Sequence, residues 1–409
     1  MRIGIVLVTG VPFPTDIRVE KEIKALCPDG HTINVLTMQI PDNAPEKEAF
    51  IKDCAHIYRT LPKKTGLFRR LWGKFRLVNP RWVKPIEVFI SETNPDVLHV
   101  HDLPMVPVTI EVAQRYNIPV VADLHENWPA MVQAWHSTSP FFTKLKNAVI
   151  NNYYLMRLNE ARYLKRCIRV IVVVPEAAER LSGYGVADNK IVVVSNTEDE
   201  TTFSTSITEI EQEIIDRYHS EWMVSYIGGI GPHRGIDTVL RSLPYATSEI
   251  PKLKLVIVGA KEDNRQIILA EARKLGIENN IEVIDWIPFE KVTGYILASR
   301  VCLVPHNNFE HTQTTVPHKL FQYMISGKPV LVSDCRPLAR IVRDTRSGLI
   351  FEANNSQDCA NKLIEMYQNP DLIEEMGHNG RSAALGPYAW RNDAKKLVQT
   401  YREIEKEVL

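Results

Sequence analysis

The stretch YIGGIGPHRGID, residues 226–237, follows the apolar run Trp222-Met223-Val224-Ser225. Small residues at Gly228, Gly229 and Gly231, with Ile230 between, let backbone N–H groups approach an anion, and a following helix start favours negative charge. Arg234 adds a planar, permanently charged fork suited to phosphate oxygens. The glycines at 229, 231 and 235 miss the dinucleotide spacing G-x-G-x-x-G by one residue, and no well-placed acid stands about 20 residues on to take a ribose. A nicotinamide cofactor is therefore disfavoured, and a phosphate loop is expected. The alternative is a tight strand-to-helix turn with a solvent-facing arginine.

A second stretch, FEHTQTTVPHKLFQYMISGKPVLVSD, occupies 309–334. Its spacing predicts a helix of about three turns, with Pro317 at the first helical position and Gly327 and Pro329 ending it. Thr314, Thr315 and Val316 lie just ahead. His318 and Gln322 are four apart and share one face, with Lys319 beside them. A helix start, an imidazole, an ammonium and an amide together make a second anion site opposite the first. A surface helix with a merely solvated polar face is the alternative.

Other candidates stand at strand ends. HVHDLP (99–104) carries His101 and Asp102; ADLHENWP (122–129) carries His125 and Glu126. For both histidines the structural alternative is a ring bonded to a nearby carbonyl. The loop GVPFPTDIRVEKE (10–22) offers Asp16 and Arg18 for an acceptor or a diphosphate, or is an ordinary capped helix start. Residues 61–84 carry eight Lys/Arg and no acid. There Leu67, Phe68, Leu71, Trp72, Phe75 and Val78 recur at helical spacing, with Arg69, Arg70, Lys74 and Arg76 on other faces. Such a basic amphipathic stretch suits an anionic membrane surface; a helix packed on a sheet with a solvated basic face is the alternative, and nothing else in the chain supports nucleic acid.

These groups need strands to hold them. Continuous apolar runs recur (RIGIVLV, TINVLTM, DVLHV, IPVVADL, RVIVVV, KIVVVSN), and after the polar NTEDETTFSTS (196–206) the scheme restarts with WMVSYIG, LKLVIVG, IEVI, VCLVP, PVLVSD and GLIF. Strands apolar on both faces imply parallel sheets covered by helices, hence two α/β domains in series, each doubly wound. Ligands in such sheets bind at the carboxyl ends of the strands, so a cleft between two facing sheets is expected to hold the site.

The bulk numbers agree. A chain of 409 residues exceeds the roughly 100–200 of one domain. With 44% hydrophobic and 24% charged residues and a formal net charge of zero, no overall attraction to nucleic acid is indicated. The opening MRIGIVLVTG reads as a buried strand, and no run approaches the roughly 18 apolar residues of a membrane span. Six scattered cysteines without a C-x-x-C pair suggest reduced thiols and a cytoplasmic setting rather than a disulfide frame or zinc site.

Together, YIGGIGPHRGID, TTVPHKLFQYMISGKPVLVSD, HVHDLP, ADLHENWP and FPTDIRVEKEIKAL resemble the retaining glycosyltransferases of the GT-B type, especially family 4 (group 1), over nearly the whole chain. The resemblance implies two Rossmann-like domains facing across a cleft: 1–198 for the acceptor, 199–386 for a nucleotide-sugar, and a 387–409 helix returning to the first. It implies sugar transfer to a hydroxyl of a glycan or lipid-linked acceptor, with catalysis by His125, Arg234 and Lys319. Gly228, Gly229, Ile230, Arg234, Thr314, Thr315, Val316, His318, Lys319 and Gln322 would bind the nucleotide-sugar. Asp16, Arg18, Asp102, Glu126 and Glu310 are acceptor or sugar candidates. No cofactor or metal is implied, and no D-x-D occurs. The chain departs from the family's G-R-L-x-x-x-K-G and E-x7-E patterns. Gly229 stands for Arg, Arg234 for Lys, Thr314 for the first Glu and Gln322 for the second, with Glu310 a possible substitute for the first acid. Those departures leave two further readings: a non-catalytic nucleotide-sugar-binding partner, and a nucleotide-sugar epimerase.

Overall fold

The computed structural model describes residues 1–10, 12–137, 152–201 and 207–409. The chain folds as two compact units, Met1–Ser195 with Arg391–Leu409, and Asn196–Trp390. The boundaries thus fall at 195/196 and 390/391, a few residues from the expected 198/199 and 386/387. Part of the polar stretch expected between the halves lies outside the described residues.

In the first unit the described strands form one sheet in the order β3-β4-β2-β1-β5-β6-β7-β8. These are β1 (Arg2–Val6), β2 (Thr32–Met38), β3 (Lys47–Ile51), β4 (Ala55–Thr60), β5 (Val97–His101), β6 (Val120–Leu124), β7 (Arg169–Val172) and β8 (Ile191–Val193). All neighbours are parallel except β3 against β4. Residues of β5 and β6 are buried throughout, as helix cover on both faces requires. From β1 the chain runs to β2 on one side and later to β5 on the other. That reversal opens a crevice at the carboxyl ends of β1 and β5. The helix Trp390–Val408 belongs to this unit: the Tyr401 hydroxyl lies 2.7 Å from His99 Nδ1, and Glu405 holds the N-terminal ammonium at 3.1 Å.

The second unit repeats the plan with β9 (Trp222–Ile227), β10 (Leu253–Val258), β11 (Ile281–Ile284), β12 (Val301–Val304), β13 (Val330–Ser333) and β14 (Gly348–Phe351). Their order is β11-β10-β9-β12-β13-β14, all parallel, so the reversal lies between β9 and β12. Its core packs Val224, Tyr226, Leu255, Ile257, Leu303 and Leu331 against Leu240, Leu243 and Leu363.

The expectation of reduced thiols fails at one pair. Cys27, just past the helix Ile17–Leu26, and Cys54, just before β4, are joined by a disulfide with Cα atoms 5.8 Å apart. Pairing of β2 with β4 brings the two ends together, a long-range contact with no local signature. Cys167, Cys302, Cys335 and Cys359 are free and buried. No helix among the described residues is long and apolar enough to cross a membrane.

Candidate functional site

At the β9–β12 reversal the stretch 226–237 forms a glycine-rich turn from strand to helix. After β9 the backbone turns at Gly228 (φ +127°), passes a short 3₁₀ turn at Pro232–Arg234, and enters the helix Ile236–Ala246 through Gly235 (φ +70°). Gly235 is obligatory there: a Cβ would lie 1.6 Å from the Pro305 carbonyl oxygen, where the chain leaves β12. Asn307 fastens the same two segments, donating from Nδ2 to the Pro232 carbonyl and to Asp237, both at 3.0 Å. Around Gly229 a Cβ would meet nothing within 4 Å, so this position is open where the resembling family has its arginine.

Arg234 Nη1 lies 3.2 Å from His306 Nε2. Burial, then Arg234, holds His306 well below its ordinary pKa, so this imidazole is neutral and accepts from the guanidinium. His233 is pushed down to about 3 by burial, then Arg234. The cluster thus adds no competing positive charge.

Lys319 lies on the helix His318–Ile325, whose N-cap is Pro317 in extended geometry. Proline therefore sits one residue earlier than expected, and the helix is shorter, because Ser326 and Gly327 (φ +69°) close it. The Lys319 Nζ is buried, has no hydrogen-bond partner, and sits 3.6 Å from the centre of the Tyr226 ring. A Cβ on Gly228 would come within 2.9 Å of it, so glycine is what lets this ammonium reach the loop. Burial, then Arg234, depresses its pKa well below the ordinary lysine value. An unpartnered buried amine beside a guanidinium is a site shaped for an anion.

The remaining helix-side residues divide. Gln322 Nε2 donates to Glu198 Oε1 at 3.0 Å, and His318 Nδ1 lies 3.4 Å from the same oxygen. The Val316 carbonyl accepts from Asn196 Nδ2 at 3.0 Å. Thr314 donates to the carbonyls of Glu310 (3.2 Å) and His311 (3.4 Å); its proton is spent on backbone. Thr315 is buried, whereas Glu310 is exposed.

In the first unit the sequence candidates converge at the carboxyl ends of β1, β5 and β6, but with altered roles. Arg18, for which contact with an acceptor or diphosphate stood beside an ordinary capped helix start, is 2% exposed. Its Nε and Nη2 grip Asp123 at 2.9 and 3.0 Å, Nε lies 3.1 Å from Glu22, and Nη1 donates to the Val194 carbonyl at 3.1 Å. Burial of two carboxylates leaves no cheaper place for this cation. Asp16 caps the helix Ile17–Leu26, accepting from the N–H groups of Arg18 and Val19. Asp102 sits in left-handed backbone (φ +62°) with its carboxylate 3.7 Å from His125 Nδ1. His125 Nε2 lies 3.0 Å from His101 Nδ1 and 3.6 Å from Asp123. Burial works against a charged His125, but Asp102 and then Asp123 outweigh it and raise its pKa to about 10. His125 is therefore an imidazolium, a donor rather than a base. Glu126, next along the chain, is half-buried. Donor atoms of Glu22, His99, His101 and Asp123 all lie within 4.8 Å of one another, a spacing suited to a metal, but the Arg18 guanidinium already occupies Asp123 and lies 3.1 Å from Glu22.

A model of the group 1 glycosyl transferases matches residues 207–383, and one of glycosyltransferase family 4 matches residues 17–200. The chain belongs to the family 4, group 1 glycosyltransferases. Among relatives of this glycosyltransferase chain is a D-inositol 3-phosphate glycosyltransferase of Nocardia farcinica, 24% identical over 251 residues, covering 60% of this chain. The match spans only 54% of that relative's own length. Similar solved folds include sucrose-phosphate synthase from Thermosynechococcus elongatus (TM-score 0.79, 18% identity, 99% of both chains). Another is Anabaena HepE in complex with UDP-glucose (TM-score 0.73, 14% identity, 98% of this chain and 100% of that one). These likenesses place the fold in the GT-B class, with two parallel-sheet units.

Sequence reasoning missed Glu198, Tyr226, His306 and Asn307. The last two directly follow VCLVP, at a strand's carboxyl end, and that position was a usable signal. Glu198 carried none, since it lies in a polar stretch that reads as a linker.

Proposed function

We propose that this chain is a retaining glycosyltransferase that moves a sugar from a nucleotide-diphosphate sugar to a hydroxyl of a glycan or lipid-linked acceptor. The observation that carries the reading is Lys319: a buried ammonium without a partner, beside Arg234, at the point where a doubly wound sheet receives ligands. The UDP-glucose bound to the similar HepE chain is in keeping with it. The two cations and the helix start neutralise the departing diphosphate. The acceptor oxygen bonds to the anomeric carbon on the face from which the diphosphate leaves. The bond to the phosphate oxygen breaks, and that oxygen takes the acceptor's proton. His125, as an imidazolium, donates to and orients the transferred sugar. The protein's own cations take this load, so no metal step is proposed.

The test is thermal unfolding with UDP, GDP, ADP, CDP, dTDP and NAD at about 1 mM, since a ligand at 100 times its Kd stabilises by about 2.7 kcal/mol. One nucleoside diphosphate is expected to raise the melting temperature, Arg234→Ala to remove that rise, and a chelator to leave both rise and turnover unchanged. A rise with NAD alone overturns the reading. The spent Thr314 hydroxyl favours one second reading, a non-catalytic nucleotide-sugar binder; binding without transfer or hydrolysis would establish it.

The same proposal has the protein lie peripherally on a membrane, in surface-polysaccharide or glycolipid synthesis. Its support is the helix Leu67–Phe75, which leaves Phe68 80%, Trp72 59% and Phe75 45% exposed among the exposed Arg69, Arg70 and Lys74. The helix is shorter than the expected stretch: the chain turns at Arg76, which pairs with Glu111 at 2.6 Å, and Trp82 packs inward. Each cation near an anionic surface contributes about 1 kcal/mol. The chain should sediment with vesicles containing phosphatidylglycerol and not with phosphatidylcholine alone, and F68S/W72S should lower that binding at least tenfold. Equal partition onto both vesicle types would remove the membrane from the proposal.

A further inference from the structure

We propose that His306 is a positioning residue for the diphosphate site: its Nε2 holds the Arg234 guanidinium as a neutral acceptor, which fixes the fork at the loop after β9 and leaves its charge whole for an anion. This deepens the nucleotide-sugar reading and rests on it.

The two residues come from the two sides of the β9–β12 reversal. Arg234 ends the short turn Pro232–Arg234, and His306 follows β12 by two residues. Backbone holds them in register: Asn307 N–H donates to the His233 carbonyl at 3.1 Å, and Asn307 Nδ2 donates to the Pro232 carbonyl at 3.0 Å. The imidazole is 1% exposed, and its Nε2 lies 3.2 Å from Arg234 Nη1. A guanidinium only donates, so Nε2 is the bare nitrogen and the ring hydrogen sits on Nδ1. Among the described residues that Nδ1, also buried, has no hydrogen-bond partner. A buried donor left without a partner costs stability. The ring therefore makes its polar contribution through one atom, the acceptor nitrogen that meets Arg234.

A neutral acceptor is the partner that an anion site needs. Arg18 shows the other case: its fork closes on the Asp123 carboxylate at 2.9 and 3.0 Å, and its charge is spent there. A carboxylate at 306 would do the same to Arg234, and an imidazolium would repel it. Burial opposes a charge on His306, and so do Arg234, Lys319, His233 and His311. The guanidinium thus meets an acceptor that orients it and takes nothing from its charge.

Three substitutions vary the acceptor. H306Q keeps a neutral acceptor oxygen at the reach of Nε2, H306L keeps bulk and removes the acceptor, and H306E supplies an acceptor that carries charge. Calorimetry measures Kd for the nucleoside diphosphate found by thermal shift, and melting is followed for each free protein. H306Q should bind within about threefold of wild type, H306L about tenfold more weakly, and H306E about thirtyfold more weakly or worse. H306E should nonetheless melt no lower than H306L, because its carboxylate gains Arg234 as a partner. A role in packing alone would instead make the weakest binder the least stable protein. The wild-type chain supplies an independent check by nitrogen NMR of histidine-labelled protein. There the His306 ring, assigned by its loss in H306Q, should be the neutral tautomer with its hydrogen on Nδ1. Failure of the wild-type chain to bind any nucleoside diphosphate removes the nucleotide-sugar reading, and this role with it. With wild-type binding intact, four results each overturn the role of His306 alone: H306L binding as well as wild type, H306E binding as well as H306Q, losses that follow melting temperature with no recovery in H306Q, or a ring with its hydrogen on Nε2.

Discussion

Lys319→Met should produce a chain that resists unfolding better than the wild type and binds nucleoside diphosphate far more weakly. The native structure keeps the Lys319 amine buried without a hydrogen-bond partner, and burial with the Arg234 charge nearby depresses its pKa well below the ordinary value. The unfolded chain therefore binds this proton more tightly than the folded one. Linkage then makes the lysine a cost to stability at neutral pH, relieved as pH rises toward the unfolded value of about 10.4. Methionine fills the same channel over Tyr226 with no charge to desolvate, so the free protein should gain on the order of 1–2 kcal/mol at pH 7. Binding reverses the balance. A diphosphate restores the ammonium, and losing that charge-assisted contact costs about 2–4 kcal/mol, roughly 30- to 700-fold in Kd. Two measurements check it: chemical unfolding of the free proteins, and titration with the diphosphate found by thermal shift. A second prediction with the same origin is a pH trend. Binding takes up a proton wherever the free amine is neutral, so wild-type affinity should fall as pH rises, and the slope should vanish in the methionine variant. A free protein destabilised by the substitution, with affinity intact, would mean that Lys319 is a packing residue.

How much of this was legible depends on where each signal sits. Fully buried parallel strands announce themselves as unbroken apolar runs, and RIGIVLV, IPVVADL and VCLVP lie where β1, β6 and β12 form. The edge strand β3 and its neighbour β4 do not: Lys47–Ile51 is exposed or half-buried, and Ala55–Thr60 alternates buried with half-buried residues, so neither run stands out from a loop. Glycines whose backbone must take positive φ were readable at 228 and 235, and Lys319 was readable from its place behind a helix start. For Arg18 the two readings, contact with an acceptor or diphosphate and an ordinary capped helix start, could not be separated locally, because Asp123, embedded in an apolar strand 105 residues away, binds it. The partner that decides its role is long-range, as it is for Glu198 with Gln322 and for Cys27 with Cys54. Local pattern locates elements and loop chemistry; pairings across the sheet and between strand ends are set by topology.

Arg18→Met should be the most damaging single change in the first unit. Arg18 bridges two acids buried to 0% side-chain exposure, Glu22 and Asp123. Burial pushes Glu22 up, and Asp123 adds to that, so Glu22 holds its proton well above the usual carboxylate range. Burial acts the same way on Asp123, but Arg18 and then His125 outweigh it, and Asp123 stays ionised well below that range. The result is one anion held between two cations. Removing one member of such a buried pair costs about 3–5 kcal/mol. For a unit of this size that is a fall of roughly 6–20 °C in its melting transition, read by calorimetry. The pH dependence has a definite sign. Asp123 is depressed in the folded state, so its contribution is present above the unfolded value of about 3.9 and is lost as pH falls through the folded one. Without Arg18 that contribution shrinks, so the deficit of the variant should be greatest near neutrality and should narrow on acidification. Neutralising the partners as well, in R18M/E22Q/D123N, should recover more than half of the loss, because uncharged polar groups cost less to bury than an unpaired anion. His125 supplies a further readout. Asp102 and then Asp123 raise its pKa to about 10, so a triple variant that folds, which keeps Asp102 and lacks Asp123, should show His125 titrating below that value by NMR. A variant within 1 kcal/mol of wild type at pH 7, or a deficit that widens in acid, would show that the two carboxylates do not rely on Arg18.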